Sequence, residues 1–178
     1  MTSTMLVRPL LLACGLAVFL TACSAKRELR REFGPWTTAE TNGLRIPLPA
    51  NYVAVQQGSL TIYQPAPGRE TLPWLGVSWL PKTEEPMSPK DMLARVRPRN
   101  PPEKLKITEV AARIAGVKVP GFETADDQVH GWIYVLSRDK QARGALMIAT
   151  PARWGKARAE AYQSLVVSGV EFIGDDPQ

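Results

Sequence analysis

From residue 43 onward, short apolar runs alternate with turn residues, and no segment repeats. Residues 44–49 (Leu-Arg-Ile-Pro-Leu-Pro) read as extended, because a residue that precedes proline is pushed out of the helical region. Residues 59–64 (Ser-Leu-Thr-Ile-Tyr-Gln) and 74–80 (Trp-Leu-Gly-Val-Ser-Trp-Leu) read as strands on either side of a Pro-Ala-Pro-Gly turn at 65–68. Ser88-Pro89-Lys90-Asp91 has the chemistry of a helix start: a hydroxyl cap, a proline in the first turn and a carboxylate near the positive end of the dipole. That helix should run to about Val96, where the prolines at 98, 101 and 102 stop it. The same proline cluster fits a linker between domains, but neither side alone would bury a sufficient core.

The second half is more regular. Lys106–Ile114, Val117–Ala125, Val129–Arg138 and residues 144–150 read as four strands, and connections this short make them antiparallel neighbours. Val-His-Gly-Trp-Ile-Tyr-Val-Leu and Ala-Leu-Met-Ile-Ala are apolar at odd and even positions alike, the pattern of strands covered on both faces. Helices must supply one cover. Residues 151–168 place Trp154, Ala157, Ala161, Leu165 and Ser168 along one helical face, with Tyr162 and Val166 beside it and Gly169 at the end. A short strand at 170–173 closes the chain. The fold class is therefore α+β: one domain over residues 45–174, an antiparallel sheet covered by helices, with 175–178 as a disordered tail.

The N-terminus departs from this pattern. A polar start with one charge, Arg8, leads into an apolar stretch at residues 10–20 (Leu-Leu-Leu-Ala-Cys-Gly-Leu-Ala-Val-Phe-Leu), then small residues. This stretch is too short for a bilayer-spanning helix, which needs about 20 residues, and it has the layout of a secretory signal peptide over 1–22. Residues 26–32 follow as Lys-Arg-Glu-Leu-Arg-Arg-Glu. In a helix they would stack Lys26 on Arg30, Arg27 on Arg31 and Glu28 on Glu32, three mildly unfavourable like-charge pairs. Residues 23–44 are therefore expected to be a flexible tether, with a root-mean-square reach of roughly 25 Å.

Composition then removes most chemistry. Among 178 residues there are two cysteines, Cys14 and Cys23, and one histidine, His130. Without Cys14 and Cys23 the remaining domain has no thiol, and a multi-histidine metal site is impossible; no metal site and no cofactor is expected. The net charge of +5 falls to +4 without the leader, and the basic residues are spread over several loops rather than interleaved with aromatics. That distribution argues against nucleic-acid binding and for a solvated basic face.

Two resemblances sharpen this picture. Leu20-Thr21-Ala22-Cys23 resembles the lipobox of bacterial lipoproteins: an aliphatic residue, two small ones, then cysteine. That resemblance implies cleavage between Ala22 and Cys23, a diacylglycerol on the Cys23 sulfur with its new amine usually acylated as well (palmitate being the expected label), and a membrane anchor through that lipid. Ser24, in place of the aspartate that marks inner-membrane retention, implies an outer-membrane protein facing the periplasm. The order of elements, with Gly116-Val117, Pro120-Gly121-Phe122-Glu123, Trp132-Ile133-Tyr134, the strand at 145–150 and a closing helix bearing Tyr162 and Leu165, is similar to the Mog1/PsbP-like fold found in small envelope proteins related to DcrB. It implies an α/β/α sandwich and no common catalytic site.

Candidate chemistry is sparse. His130 lies close in sequence to Asp126, Asp127 and Asp139, and a histidine held by an acid makes a general base, but no motif supplies a nucleophile. Ser78 begins like a nucleophile elbow, Gly76-Val77-Ser78, but Leu80 stands where the second glycine belongs. Of the five tryptophans, Trp132 and Trp154 fall at core positions. Trp36 and Trp74 follow prolines at less settled places and are the candidate partner-binding residues, tryptophan being common at binding hot spots. The sequence thus reads as an envelope lipoprotein with no catalytic residues, not an enzyme, whose domain binds a protein or cell-wall partner. The alternative is an envelope enzyme or small-ligand carrier with a sheet–helix pocket near His130.

Overall fold

The structure is a computed structural model that describes residues 24–41, 43–66, 72–80, 85, 87–99, 101–138 and 141–173. The cleavage site at Ala22 and Cys23, the lipidation site at Cys23, the turn at 67–68, Asp139 and the expected tail at 175–178 lie outside the described residues.

The first described element is helix α1, helical over residues 24–32. Strands β1 (Trp36–Thr41) and β2 (Leu44–Pro49) follow, then β3 (Tyr52–Gln57), β4 (Leu60–Pro65) and β5 (Trp74–Trp79). Helix α2 (Pro89–Val96) precedes β6 (Lys106–Ile114), β7 (Val117–Ala125), β8 (Val129–Arg138) and β9 (Gln141–Pro151). A 3-10 turn (Ala152–Trp154), helix α3 (Lys156–Ser168) and β10 (Glu171–Phe172) are the last described elements. The strands form an antiparallel seven-stranded sheet, β3-β4-β5-β9-β8-β7-β6, and a three-stranded one, β1-β2-β10. The fold is α+β, with one domain whose sheets are covered by helices.

The two-sided apolar pattern of β8 and β9 has its physical counterpart in two cores. On the inner face of the large sheet, Leu75, Val77, Trp132, Tyr134, Leu136, Leu146 and Ile148 join Tyr162 and Val166 of α3 and Leu44, Ile46 and Leu48 of β2. On the outer face, Val135 and Ala142 meet Leu80 and Met92, the latter from α2. The cap of α2 is the one the sequence implies: the Ser88 side chain accepts from the Asp91 N–H at 3.1 Å, and its hydroxyl donates to the Asp91 carboxylate at 2.6 Å.

Three expectations are corrected. Residues 23–44 are not a flexible tether over their described part, because α1 and β1 occupy it and Leu29 is 1% exposed. Burying one leucine contributes about 1.5–3 kcal/mol, more than three like-charge pairs of a few tenths each remove. The domain therefore includes α1 and β1 and is not confined to residues from 45 onward. Helix α3 also begins later than expected, after Gly155, and its buried face is Ala159, Ala161, Tyr162, Val166 and Val167. Ala157 and Ser168 are exposed, because the first residues after 151 are spent on the 3-10 turn and the helical phase shifts. Finally, β1 and β3 were not anticipated as strands.

Candidate functional site

At the end of the large sheet where β3 and β5 start and β4 and β9 finish, four segments converge on a cavity of about 410 Å³. Phe33 and Glu32 come from the end of α1, Asn51 from the β2–β3 turn, Pro65, Leu72 and Pro73 from around the β4–β5 connection, and Arg153 and Trp154 from the 3-10 turn. That volume falls within the range of small-ligand pockets.

Local sequence explains each wall. Pro151 is extended, and the Ala152 N–H donates to the Gln128 carbonyl at 2.9 Å, which ties the 3-10 turn to the β7–β8 connection. Gly155, with φ of 71°, reverses the chain into α3 and leaves Trp154 between helix and cavity. On the opposite side, the Phe33 N–H donates to the Leu29 carbonyl at 2.9 Å, carrying the helical turn one residue further.

Tyr162 is the hub behind the cleft. Its ring lies 5.7 Å from Phe33, 5.9 Å from Trp36 and 5.7 Å from Trp154, all tilted or edge-on, the arrangement that aromatic quadrupoles favour. Its hydroxyl is 3.2 Å from that of Tyr52, which donates to the Pro73 carbonyl at 2.8 Å. With that donor committed, Tyr162 is the donor in the pair. Burial raises the pKa of both phenols, since the phenolate would lose its hydration. They are neutral hydrogen-bonding groups at physiological pH, with their protons already placed.

The charged wall is also organised. Arg158 pairs with Glu32 and its guanidinium stacks 4.5 Å from the centre of the Trp154 ring. Both ends of that ion pair are more than a third exposed, so its worth is at most about 1 kcal/mol, and its main effect is to fix the end of α1 against the start of α3. Apolar walls, satisfied hydroxyls and a paired carboxylate suit binding by contact.

The sequence-derived candidates fall in different places. Trp36 is half-buried beside Tyr162, behind the cleft, and its ring nitrogen is buried with no hydrogen-bond partner. Trp74 lies on the outer face of the large sheet, its ring across Gly76 and beside Leu60. The structure does not bring these two tryptophans together. Trp154 is not sealed in the core as expected but half-exposed at the cleft. Ser78 is a half-buried residue inside β5.

His130 does have an acidic partner, though not one of the three aspartates. Its Nε2 is 2.7 Å from Glu123 Oε1 and its ring stacks on Trp132 at 4.3 Å. The cause is register: Glu123 lies directly opposite Trp132 on the neighbouring strand, so it is diagonal to His130 on the same face. Asp126 instead folds back on its own turn, its carboxylate accepting from the Val129 and Gln128 N–H groups, which hold its pKa below the usual range. The cavity does not include His130. Among the described residues no group of three or more His, Cys, Asp or Glu is arranged to hold a metal, and no helix is long and apolar enough to cross a membrane.

Sequence reasoning missed Phe33, Asn51 and Pro73 as site residues; the Phe33-Gly34-Pro35-Trp36 cluster was the one local signal available. No protein-family model matches the chain, and no curated protein matches it. Among solved structures, it is similar to the solution structure of cyanobacterial PsbP (CyanoP) from Synechocystis sp. PCC 6803, with 13% sequence identity and a TM-score of 0.48 over 78% of this chain and 91% of that one.

Proposed function

We propose that this chain is a bacterial envelope lipoprotein, anchored through a lipid on Cys23 and facing the periplasm from the outer membrane, whose domain binds a protein or cell-wall partner at the aromatic cleft without catalysis. The observation that carries the reading is the course of α1. Residues 24–32, next to Cys23 in sequence, are helical, and the helix ends at Glu32 and Phe33, which wall the cleft. At 1.5 Å per residue the helix separates the two by roughly 14 Å, so a lipid at Cys23 would hold the cleft close to the bilayer.

The anchor and the cleft are tested separately. Labelled palmitate should enter the full chain in cells and fail to enter Cys23→Ser; label retained in that variant overturns the anchor. For the cleft, Asn51→Trp fills the cavity from an exposed turn position while leaving the buried core intact. Retention of the detergent-solubilised chain on isolated sacculi, or on a partner captured by a photocrosslinker at Arg153, should fall at least about tenfold. Retention unchanged in the folded variant removes the cleft from the proposal.

A further inference from the structure

Among the described residues the large sheet ends in β3 on one side and β6 on the other, and the two edges are guarded unequally. The β6 edge carries Lys106, Glu109 and Arg113. Charges of this kind are how proteins keep an edge from pairing with another chain. The β3 edge, Tyr-Val-Ala-Val-Gln-Gln, has no charge and no proline, and the strand pairs all six residues with β4 without a register shift.

The backbone of β3 also fixes which groups face outward. Gln57 and Leu60 are the last pair of a two-residue hairpin whose first turn residue, Gly58, has φ of 60°. The residues flanking such a turn bond to each other, so Gln57, Val55 and Val53 direct their N–H and C=O groups toward β4. Tyr52, Ala54 and Gln56 then direct theirs away from the sheet. Ala54 is exposed, and the Gln56 side chain is folded back on its own hairpin: it donates to the Gly58 carbonyl at 2.6 Å and accepts from Thr61 at 2.7 Å. The outward row is clear of both.

The geometry points to a second copy of this chain as the occupant of that edge, its β3 adding antiparallel about a two-fold axis at Ala54. This register sets Ala54 opposite Ala54 of the other copy, and Tyr52 opposite its Gln56 in both directions. Every one of these is a residue with outward groups, so each pair exchanges two backbone hydrogen bonds. Moving the register by two residues loses one such pair. The same register sets Val53 opposite Val55 on the outer face, where Leu60, Ile62 and Trp74 continue an uncharged half-exposed surface from the neighbouring strands. An uncharged strand meets its own copy with no like charges opposed in any register. This inference does not depend on the lipid anchor or on the cleft.

Sedimentation of the full chain in density-matched detergent, over a concentration series, tests it. The wild type should show a concentration-dependent dimer. Ala54→Pro deletes an outward N–H and no bond to β4, a place where an edge strand tolerates proline, and should weaken the dimer at least about tenfold with unchanged circular dichroism. Val55→Lys serves if the proline variant does not fold, and should act in the same direction. Glu109→Ala on the other edge should leave the dimer unchanged. A wild type monomeric throughout, or a dimer that survives Val55→Lys in folded protein, overturns the proposal; a monomer with an unrelated protein on this edge overturns it equally.

Discussion

Leu29→Ala separates a helix that belongs to the domain from a tether that does not. Leu29 is 1% exposed and packs in the main core, although the segment around it is among the most highly charged in the chain. The substitution removes three carbons, a transfer loss of about 2.4 kcal/mol at 0.8 per methylene, and the incompletely collapsed cavity brings the total to about 3 kcal/mol. For a domain of this size about 1 kcal/mol moves Tm by about 2–4 °C, so the variant should melt roughly 6–12 °C lower. Thermal and urea unfolding of the full chain in detergent measure it, with Arg30→Ala, an exposed position on the same helix, as the control within about 0.5 kcal/mol. If Leu29→Ala also falls within about 0.5 kcal/mol, the helix is not part of the cooperative unit and the reasoning about the cleft wall fails with it.

Further outcomes follow from single contacts. Ala115 has φ of 48° in the two-residue turn before Gly116, so Ala115→Asn should stabilise by about 0.5–1 kcal/mol in urea melts; a loss of stability would show that the turn is not left-handed. A Cβ at Gly121 would lie 2.3 Å from the Ile133 carbonyl oxygen and 2.6 Å from the Tyr134 ring, so Gly121→Ala should cost at least about 2 kcal/mol, and a neutral result would refute the close strand approach. Burial pushes the Tyr134 phenol up to about 12 and raises Tyr52 and Tyr162 as well. Because an unfolded tyrosine ionises near 10, this stabilisation is complete below about pH 10 and is lost as pH rises toward 12. Absorbance at 295 nm should then show these phenols ionising together with unfolding; independent ionisation near pH 10 in folded protein would contradict their burial.

The β6, β7 and β8 boundaries were legible because each apolar-rich run ends at turn residues, and the α2 start because Ser88, Pro89 and Asp91 act through local geometry alone. Strand β1, Trp-Thr-Thr-Ala-Glu-Thr, carries little apolar signal, and its extension depends on pairing with β2, whose own sequence does not announce a partner. Helix α1 was obscured because charge repulsion is visible in sequence, while the core that buries Leu29 is assembled from elements spread along the whole chain. The cleft failed for the same reason. Its walls come from positions 32–33, 51, 65, 72–73 and 153–154, and no periodicity links them. The His130–Glu123 pair followed strand register, which a hairpin boundary implies but a search among nearest aspartates overlooks.

Every neighbouring pair in the seven-stranded sheet is also consecutive along the chain except β5 and β9. The topology therefore divides the search for the native state into two local problems, a β3–β5 meander and a β6–β9 meander, each solved by short-range hairpin closure. Joining them requires one long closure that brings Val77 to Leu146. Because the entropic penalty of such a loop grows only with the logarithm of its length, a single seam of this kind adds little to the equilibrium cost of the large sheet, while it concentrates the slow, non-local part of that sheet's pairing in one place. The pairing of β5 with β9 is thus the step at which the two meanders become one sheet.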